Sequence, residues 1–124
     1  MSLHSTRLKP SRTRKPYFDG WGTAKATYWC ECAKCHREMA ISFSTVRLGA
    51  WGWREKFSTT EVESIESLFP EVKRSDRGTG QSWPSVSQAS CSTCSTKYIF
   101  YAEVDEYKNS VFRLVAQGLA SRDA

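Results

Sequence analysis

Two cysteine pairs are the residues of this chain best suited to chemistry. Cys32 and Cys35 are separated by two residues, and Cys91 and Cys94 repeat that spacing. A pair with this spacing can wrap a tight turn in which both sulfurs reach one ion. Zinc accepts four ligands in a tetrahedron and favours thiolates, so one pair supplies half of the coordination shell and the other completes it. The sequence therefore predicts one structural Zn²⁺ ion bound by all four sulfurs.

A redox role is the main alternative for a Cys-x-x-Cys pair. In thioredoxin-like proteins such a pair follows a strand and precedes a helix, whereas here the residues after both pairs have the composition of strands. No apolar run is long enough to cross a bilayer, and the N-terminus does not resemble a secretory signal. We therefore expect a cytoplasmic protein without a membrane partner. Thiols stay reduced in that compartment, which favours metal binding over a disulfide.

Two further residues beside the first pair could contact the metal. In an extended segment Cys30 points to the same side as Cys32, so it is either an alternative ligand or a small buried apolar side chain. His36 could replace a thiolate, or it could be a turn residue next to the site. We favour the second interpretation for both residues.

The chain lacks the features of an active site. A catalytic zinc keeps one position open for water, whereas four thiolates fill the shell. The only histidines are His4 and His36, so imidazole acid–base chemistry is poorly supplied. The glycines near residue 78 lack the spacing of a phosphate-binding loop, and the Glu between Cys30 and Cys32 is not followed by the Pro-Cys-x-x-Cys of zinc deaminases. We expect a protein that is not an enzyme.

Segments with the composition of β-strands flank both cysteine pairs. Thr27–Cys32 and Glu38–Val46, on either side of the first pair, are rich in aromatic, β-branched and apolar residues. After the second pair, Tyr98–Val104 and Val111–Gln117 enclose a polar turn at Asp105–Asn109. Two such runs around a short polar turn predict an antiparallel hairpin.

The insert between the pairs, residues 47–90, contains one predicted helix near residues 60–69. Thr60 can cap its first turn while Glu63 reaches back, as in a capping box, and Pro70 marks its end. Four apolar residues share one face of this helix: Val62, Ile65, Leu68 and Phe69.

Two other stretches of the insert have no clear periodicity. Leu48–Phe57 contains Trp-Gly-Trp and predicts either a bent strand or an ordered loop. Residues 74–90 are rich in serine and contain two glycines, which predicts a polar loop.

Two Cys-x-x-Cys knuckles that face each other and are followed by a β-hairpin resemble the zinc-ribbon superfamily. The resemblance covers the knuckles and the adjoining strands, and it implies a tetrathiolate structural site at the edge of a small antiparallel sheet. Many ribbon knuckles place glycine after the second cysteine, where a positive φ is favoured, but this chain has His36 and Ser95 there. We predict an α+β domain over residues 17–124, with a zinc-ribbon-like core and one inserted helix.

Basic residues are concentrated at the N-terminus. The net charge is +5, and five of the 18 basic side chains lie in the first fifteen residues, which contain no acid. The remaining 13 basic side chains are balanced by 13 acidic ones. Few apolar residues occur there, so residues 1–16 predict a flexible basic arm. Its cations are Arg7, Lys9, Arg12, Arg14 and Lys15.

Aromatic side chains suggest which class of partner the domain binds. The chain has more of them than one small core needs, and Trp, Tyr and Arg dominate protein-interface hot spots. We predict a protein-interaction module, for example an inhibitor or an immunity-type partner of a bacterial toxin. The alternative is a nucleic-acid-binding zinc ribbon whose arm neutralises phosphates while exposed rings stack on bases. The candidate partner-binding residues are Trp51, Trp53, Arg54 and Trp83.

Overall fold

Two antiparallel sheets organise the described part of the chain. A computed structural model describes residues 3–9, 11, 17–19, 27–48, 52–75, 82–108 and 111–122. The strands, in chain order, are β1 (Leu3–Thr6), β2 (Tyr17–Asp19), β3 (Thr27–Glu31), β4 (Glu38–Ser42), β5 (Ser82–Ser90), β6 (Lys97–Lys108) and β7 (Val111–Arg122). The larger sheet has the order β1-β7-β6-β5, with β2 also paired to β7, and the smaller sheet is β3-β4.

Short helices complete an architecture that is broadly α+β, as predicted. They are α1 (Phe43–Leu48), a single 3-10 turn (Trp53–Lys56), α2 (Thr59–Leu68) and α3 (Glu71–Ser75). The segment that we expected to be a bent strand or loop contains the 3-10 turn, which Gly52 introduces with a left-handed φ of 59°. None of the described helices has the length and apolar character needed to span a bilayer.

Strand β6, which lies between β5 and β7, is buried on both faces. Tyr98 and Phe100 belong to a core cluster shared with Tyr28 of the smaller sheet. The alternate residues Ile99 and Tyr101 belong to a second cluster with the helices. The smaller sheet, together with Val46 of α1, therefore covers one face of the larger sheet, and the 3-10 turn, α2 and α3 cover the other. This explains why the predicted strand 98–104 begins with five consecutive apolar residues, 98–102, rather than alternating.

The N-cap of helix α2 lies two residues earlier than predicted. Ser58, with extended backbone, accepts a hydrogen bond from the N–H of Glu61, and the Glu61 carboxylate accepts one from the N–H of Ser58. The sequence contains two overlapping Ser/Thr-x-x-Glu patterns, and the earlier one forms the capping box while Thr60 lies inside the helix. The helix ends before Pro70, as predicted. Ile65 and Phe69 of its apolar face are buried, and Val62 and Leu68 pack beside them.

The predicted strand Glu38–Val46 is a strand only as far as Ser42. There the Ser42 hydroxyl accepts a hydrogen bond from the N–H of Thr45 at 3.2 Å, and the chain turns into α1. Serine favours this local bond over strand pairing. Val46 is nevertheless fully buried, now from a helix.

The largest correction concerns residues 74–90, which we predicted to be a polar loop. Residues 74–75 end α3, and Ser82–Ser90 form β5, which pairs with β6 over its whole length. Ser85 is fully buried, and its hydroxyl donates to the Val46 carbonyl of α1. Serine-rich composition concealed this strand, in which the buried Ser85 hydroxyl has a backbone partner whereas the buried Ser87 hydroxyl has none. Pro84 is accommodated because β5 is an edge strand.

The predicted hairpin forms, but its strands are longer than expected. Strand β6 continues through Asp105 to Lys108, so most of the predicted turn at Asp105–Asn109 is strand, with an irregular register near its end. Polar residues are tolerated there because pairing between the two strands uses the backbone.

The N-terminal segment is also not a flexible arm where the structure describes it. Leu3–Thr6 pair with the C-terminal end of β7. Farther along, the N–H of Glu31 donates to the Lys9 carbonyl at 2.8 Å, and the N–H of Ser11 donates to the Trp29 carbonyl at 3.1 Å. The segment thus joins the larger sheet to β3. Backbone pairing needs few apolar side chains, which is why composition did not indicate it.

The position of the capping box can be tested by removing each candidate hydroxyl. We expect Ser58→Ala to lower the free energy of unfolding by about 1 kcal/mol, because an N-cap side chain contributes about that much. Thr60→Ala is the matched control and should change stability little, since Thr60 is exposed and inside the helix. Urea unfolding of the two variants measures the difference, and an equal or larger loss in Thr60→Ala would contradict the structure.

Candidate metal centre

The two cysteine pairs form turns of the same backbone geometry. Residues 32–37, the first knuckle, connect β3 to β4, and residues 91–96, the second knuckle, connect β5 to β6. In the first, the N–H of Cys32 donates to the Arg37 carbonyl at 2.8 Å, and the N–H of His36 donates to the Cys32 carbonyl at 3.0 Å. The second repeats both bonds, at 2.9 and 2.8 Å, between Cys91, Thr96 and Ser95.

Both knuckles close through a residue in the left-handed region. His36 has a φ of 65° and Ser95 a φ of 63°, at the position where many ribbon knuckles have glycine. A residue with a side chain loses roughly 1–2 kcal/mol in this conformation. The turn keeps its shape without glycine because the N–H of each residue is bonded to the carbonyl of the first cysteine.

The knuckles bring the four predicted sulfur ligands together. The Sγ atoms of the two pairs all lie within 4.8 Å of one another. Two close separations cross between the knuckles, 3.7 Å from Cys32 to Cys94 and 3.6 Å from Cys35 to Cys91. Zn–S bonds of about 2.3 Å in a tetrahedron place sulfurs about 3.8 Å apart. The arrangement therefore has the dimensions of a four-cysteine metal site and is compatible with zinc-ribbon-like knuckles.

The same distances exclude a disulfide in this state. A disulfide requires sulfurs about 2.0 Å apart, and all five cysteines of the chain are free thiols in the structure. The environment of the four sulfurs is graded: Cys32 and Cys91 are buried, Cys35 is half-buried and Cys94 is exposed. Any metal at the centre would therefore be reached from the side of Cys94.

Without a cation the four sulfurs differ in proton affinity. Hydrogen bonds from the hydroxyl and N–H of Thr96 lower the pKa of Cys94 to about 6. The N–H of Arg37 acts in the same direction on Cys35, but desolvation and the three neighbouring sulfurs outweigh it and raise the pKa of Cys35 to about 12. Some sulfurs therefore keep their protons near neutral pH, and a bound metal ion would replace them.

Two hydroxyl groups of β6 and the second knuckle contact the sulfurs. The Tyr98 hydroxyl lies 3.0 Å from the Cys32 Sγ and accepts a hydrogen bond from the N–H of Ala33 at 3.0 Å. The Thr96 hydroxyl lies 3.1 Å from the Cys94 Sγ. Sequence reasoning missed both residues. The available signal was a tyrosine inside an apolar strand two residues after a knuckle, since a buried tyrosine hydroxyl usually has a partner.

Cys30 and His36 occupy the positions that we favoured. Cys30 is fully buried in the core cluster with Tyr28 and Met39, and burial raises its pKa to about 12. It is not one of the four clustered sulfurs. The His36 Nδ1 lies 2.9 Å from the carboxylate of Glu31, the last residue of β3.

The three predicted partner-binding residues that the structure describes do not form an exposed aromatic surface. Trp53 is only 3% exposed, and the Arg54 guanidinium covers its ring at 4.5 Å while bonding to Glu66 at 2.9 Å. Trp83 is half-buried and packs against the core cluster. Trp51 lies outside the described residues. Within the described part, these side chains therefore mainly stabilise the fold.

The predicted nucleic-acid-binding residues are described only in part. Arg7 is exposed, whereas Lys9 forms an ion pair with Glu31 at 3.2 Å. The other three cations of the segment lie outside the described residues: Arg12, Arg14 and Lys15.

No family model, curated protein or solved structure matches this chain. The assignment of the centre rests on its own residues and geometry.

Metal binding at this centre should weaken as the pH falls, because protons and metal compete for the same sulfurs. Cys35, with its raised pKa, must release a proton on binding, so we expect the apparent affinity to rise about tenfold per pH unit for each proton released. Chelator competition at several pH values near neutrality measures this slope. Cys30→Ser is the control and should show the same slope. A metal affinity that does not change with pH would contradict the competition between protons and metal for the four sulfurs.

Proposed function

We propose that this chain is a non-catalytic zinc-binding module in which one Zn²⁺ ion locks the two sheets together. The observation that carries this proposal is the spacing of the four sulfurs, within 4.8 Å of one another on two knuckles. The first knuckle belongs to the smaller sheet and the second to the larger sheet. A tetrahedral set of four thiolates suits zinc or an iron–sulfur cluster, and a single ion with bonds of about 2.3 Å fits sulfurs this close.

The chemistry of the ligand set supports a structural rather than catalytic ion. Four thiolates occupy every position of a tetrahedral zinc, which leaves none for water or substrate. The nearest imidazole, His36, contacts Glu31 rather than the sulfurs. The acid Glu61, which bonds to Arg122 at 2.7 Å, likewise has a structural partner.

The surface next to the centre supports a role in binding. A groove of about 980 Å³ adjoins both knuckles, and its lining includes Lys34, Lys97 and Arg122. Four thiolates around Zn²⁺ carry a net charge of about −2, which the two lysines would offset, and Arg122 is paired with Glu61. A groove with balanced charge and a mixed polar and apolar lining suits a protein partner better than a phosphate backbone. We therefore propose a protein partner at this groove.

The zinc content of purified variants tests the metal assignment. We expect one zinc per chain in the unaltered protein and in Cys30→Ser, because Cys30 is not a ligand. Cys94→Ser should lose the ion and show a lower, broader thermal transition, since structural zinc contributes on the order of 10–16 kcal/mol in zinc-finger peptides. Elemental analysis and calorimetry measure both effects. A Cys94→Ser protein that remained metal-loaded and equally stable would refute the site.

Salt-dependent binding distinguishes the two partner classes. We expect no measurable affinity for labelled single-stranded or double-stranded DNA or RNA in anisotropy titrations at low salt. Phosphate-driven binding would show an affinity that falls steeply with added salt and falls again in Lys34→Ala and Lys97→Ala. That result would replace the protein-partner proposal with nucleic-acid binding and leave the metal assignment unchanged.

A further inference from the structure

The Tyr98 hydroxyl makes two hydrogen bonds to the first knuckle although Tyr98 lies in the other sheet. It lies 3.0 Å from the Cys32 Sγ and 3.0 Å from the N of Ala33. The first bond is made to a ligand sulfur and the second to the backbone between the two ligands of that knuckle. One buried hydroxyl thus contacts both the ligand sulfur and the backbone of the turn that holds this sulfur in position.

The direction of these bonds follows from the donors available. An amide N–H can only donate, so the Tyr98 oxygen accepts from Ala33. The hydroxyl then has one hydrogen left, and a metal-bound thiolate carries none. Tyr98 must therefore donate to the Cys32 sulfur when the metal is bound. A hydrogen bond to an ionised acceptor is about twice as strong as one between neutral groups.

The position of this hydroxyl is fixed by the larger sheet. Tyr98 lies on the central strand β6, paired with Ala89 on one side and Ser121 on the other. Its side chain is only 1% exposed. Pairing on both sides fixes the backbone that carries the ring, so the Tyr98 hydroxyl offers the first knuckle an anchored hydrogen-bonding partner.

A second hydroxyl has a matching role at the other knuckle. The Thr96 hydroxyl lies 3.1 Å from the Cys94 Sγ, and it too must donate to a metal-bound thiolate. Thr96 and Tyr98 are two residues apart at the start of β6. Each knuckle therefore has one sulfur that accepts a hydroxyl hydrogen bond, and both hydroxyl groups come from the same short stretch of chain.

We propose that Tyr98 is a positioning residue of the metal centre: its hydroxyl holds the first knuckle against the second and draws charge from the Cys32 thiolate. This inference rests on the proposed zinc centre. A ligand held in place in this way loses less freedom on metal binding, and groups that bond to ligands commonly change metal affinity by 10- to 100-fold. Thr96 serves the Cys94 thiolate in the same way.

The test uses the full chain with Co²⁺ as a spectroscopic substitute for Zn²⁺. We expect Tyr98→Phe to bind one equivalent of Co²⁺ with about 10- to 100-fold lower affinity in chelator competition. Its thiolate-to-cobalt charge-transfer band should move to longer wavelength, because a sulfur that loses a hydrogen-bond donor gives up electron density more readily. A change in fold stability alone does not move that band.

Two controls separate the hydroxyl contact from general destabilisation. Tyr28→Phe removes another buried tyrosine hydroxyl from the same core cluster and should leave the affinity and the band unchanged. Thr96→Val should shift the band, whereas Thr96→Ser keeps the hydroxyl and should restore it. The Thr96 pair supplies the test independently if Tyr98→Phe does not fold.

Three outcomes would decide against the proposals. An unaltered affinity and band in Tyr98→Phe would overturn the positioning role while leaving the zinc centre intact. An equal loss of affinity in Tyr28→Phe would also overturn it, because the effect would then be general. Failure of the unaltered protein to bind Co²⁺ or Zn²⁺ at all would instead overturn the metal centre itself.

Discussion

Mutual repulsion among four cysteine sulfurs is the constraint on which this structure depends. Two unit charges 4 Å apart repel by about 4 kcal/mol at an effective dielectric constant of 20. Four thiolates within 4.8 Å of one another are therefore unstable unless protons or a cation neutralise them. In the metal-free chain, desolvation and the neighbouring sulfurs raise the pKa of Cys35, whereas hydrogen bonds from Thr96 lower the pKa of Cys94. A divalent ion would remove the repulsion by replacing the protons with four bonds.

The centre matters because it lies between two sheets that otherwise meet through side-chain packing and a few backbone bonds. Strands β3 and β4 form a separate two-stranded sheet, which is marginally stable in isolation. Packing of Tyr28 against Phe100, with ring centres 5.7 Å apart, joins it to the larger sheet through the core. The N-terminal segment joins the sheets by backbone bonds at Lys9 and Ser11. The knuckles add a third connection, where each sheet presents two sulfurs.

The ligands could be predicted from sequence because the geometry of a Cys-x-x-Cys turn is local. The apolar face of α2 was also predictable from its spacing. The surface against which this face packs could not be predicted. The Phe69 ring lies so close to Gly118 of β7 that a Cβ added to the glycine would be 2.5 Å from the ring. That approach depends on a residue far along the chain, and no local pattern indicates it. The end of β4 at Ser42 was also not predictable. It depends on one hydrogen bond, from the N–H of Thr45 to the Ser42 hydroxyl, that composition does not reveal.

Strand β5 and strand β1 show a different limit of sequence reasoning. Both were assigned to irregular segments because they are polar, yet each pairs along a neighbouring strand. Backbone hydrogen bonds are independent of side-chain polarity. A buried serine hydroxyl can also find a backbone acceptor, as that of Ser85 does at the Val46 carbonyl. Polar composition therefore predicts exposure better than it predicts the absence of a strand. The role of the Tyr98 hydroxyl was not predicted for the opposite reason. Its apolar neighbours in the sequence indicated a ring that only packs in the core.

X-ray absorption at the zinc edge of the purified full-length chain tests the central claim most directly. The account predicts a single shell of four sulfur atoms at about 2.3 Å with no nitrogen or oxygen contribution. A shell containing nitrogen or oxygen at about 2.0–2.1 Å, or a chain that holds no zinc, would contradict it.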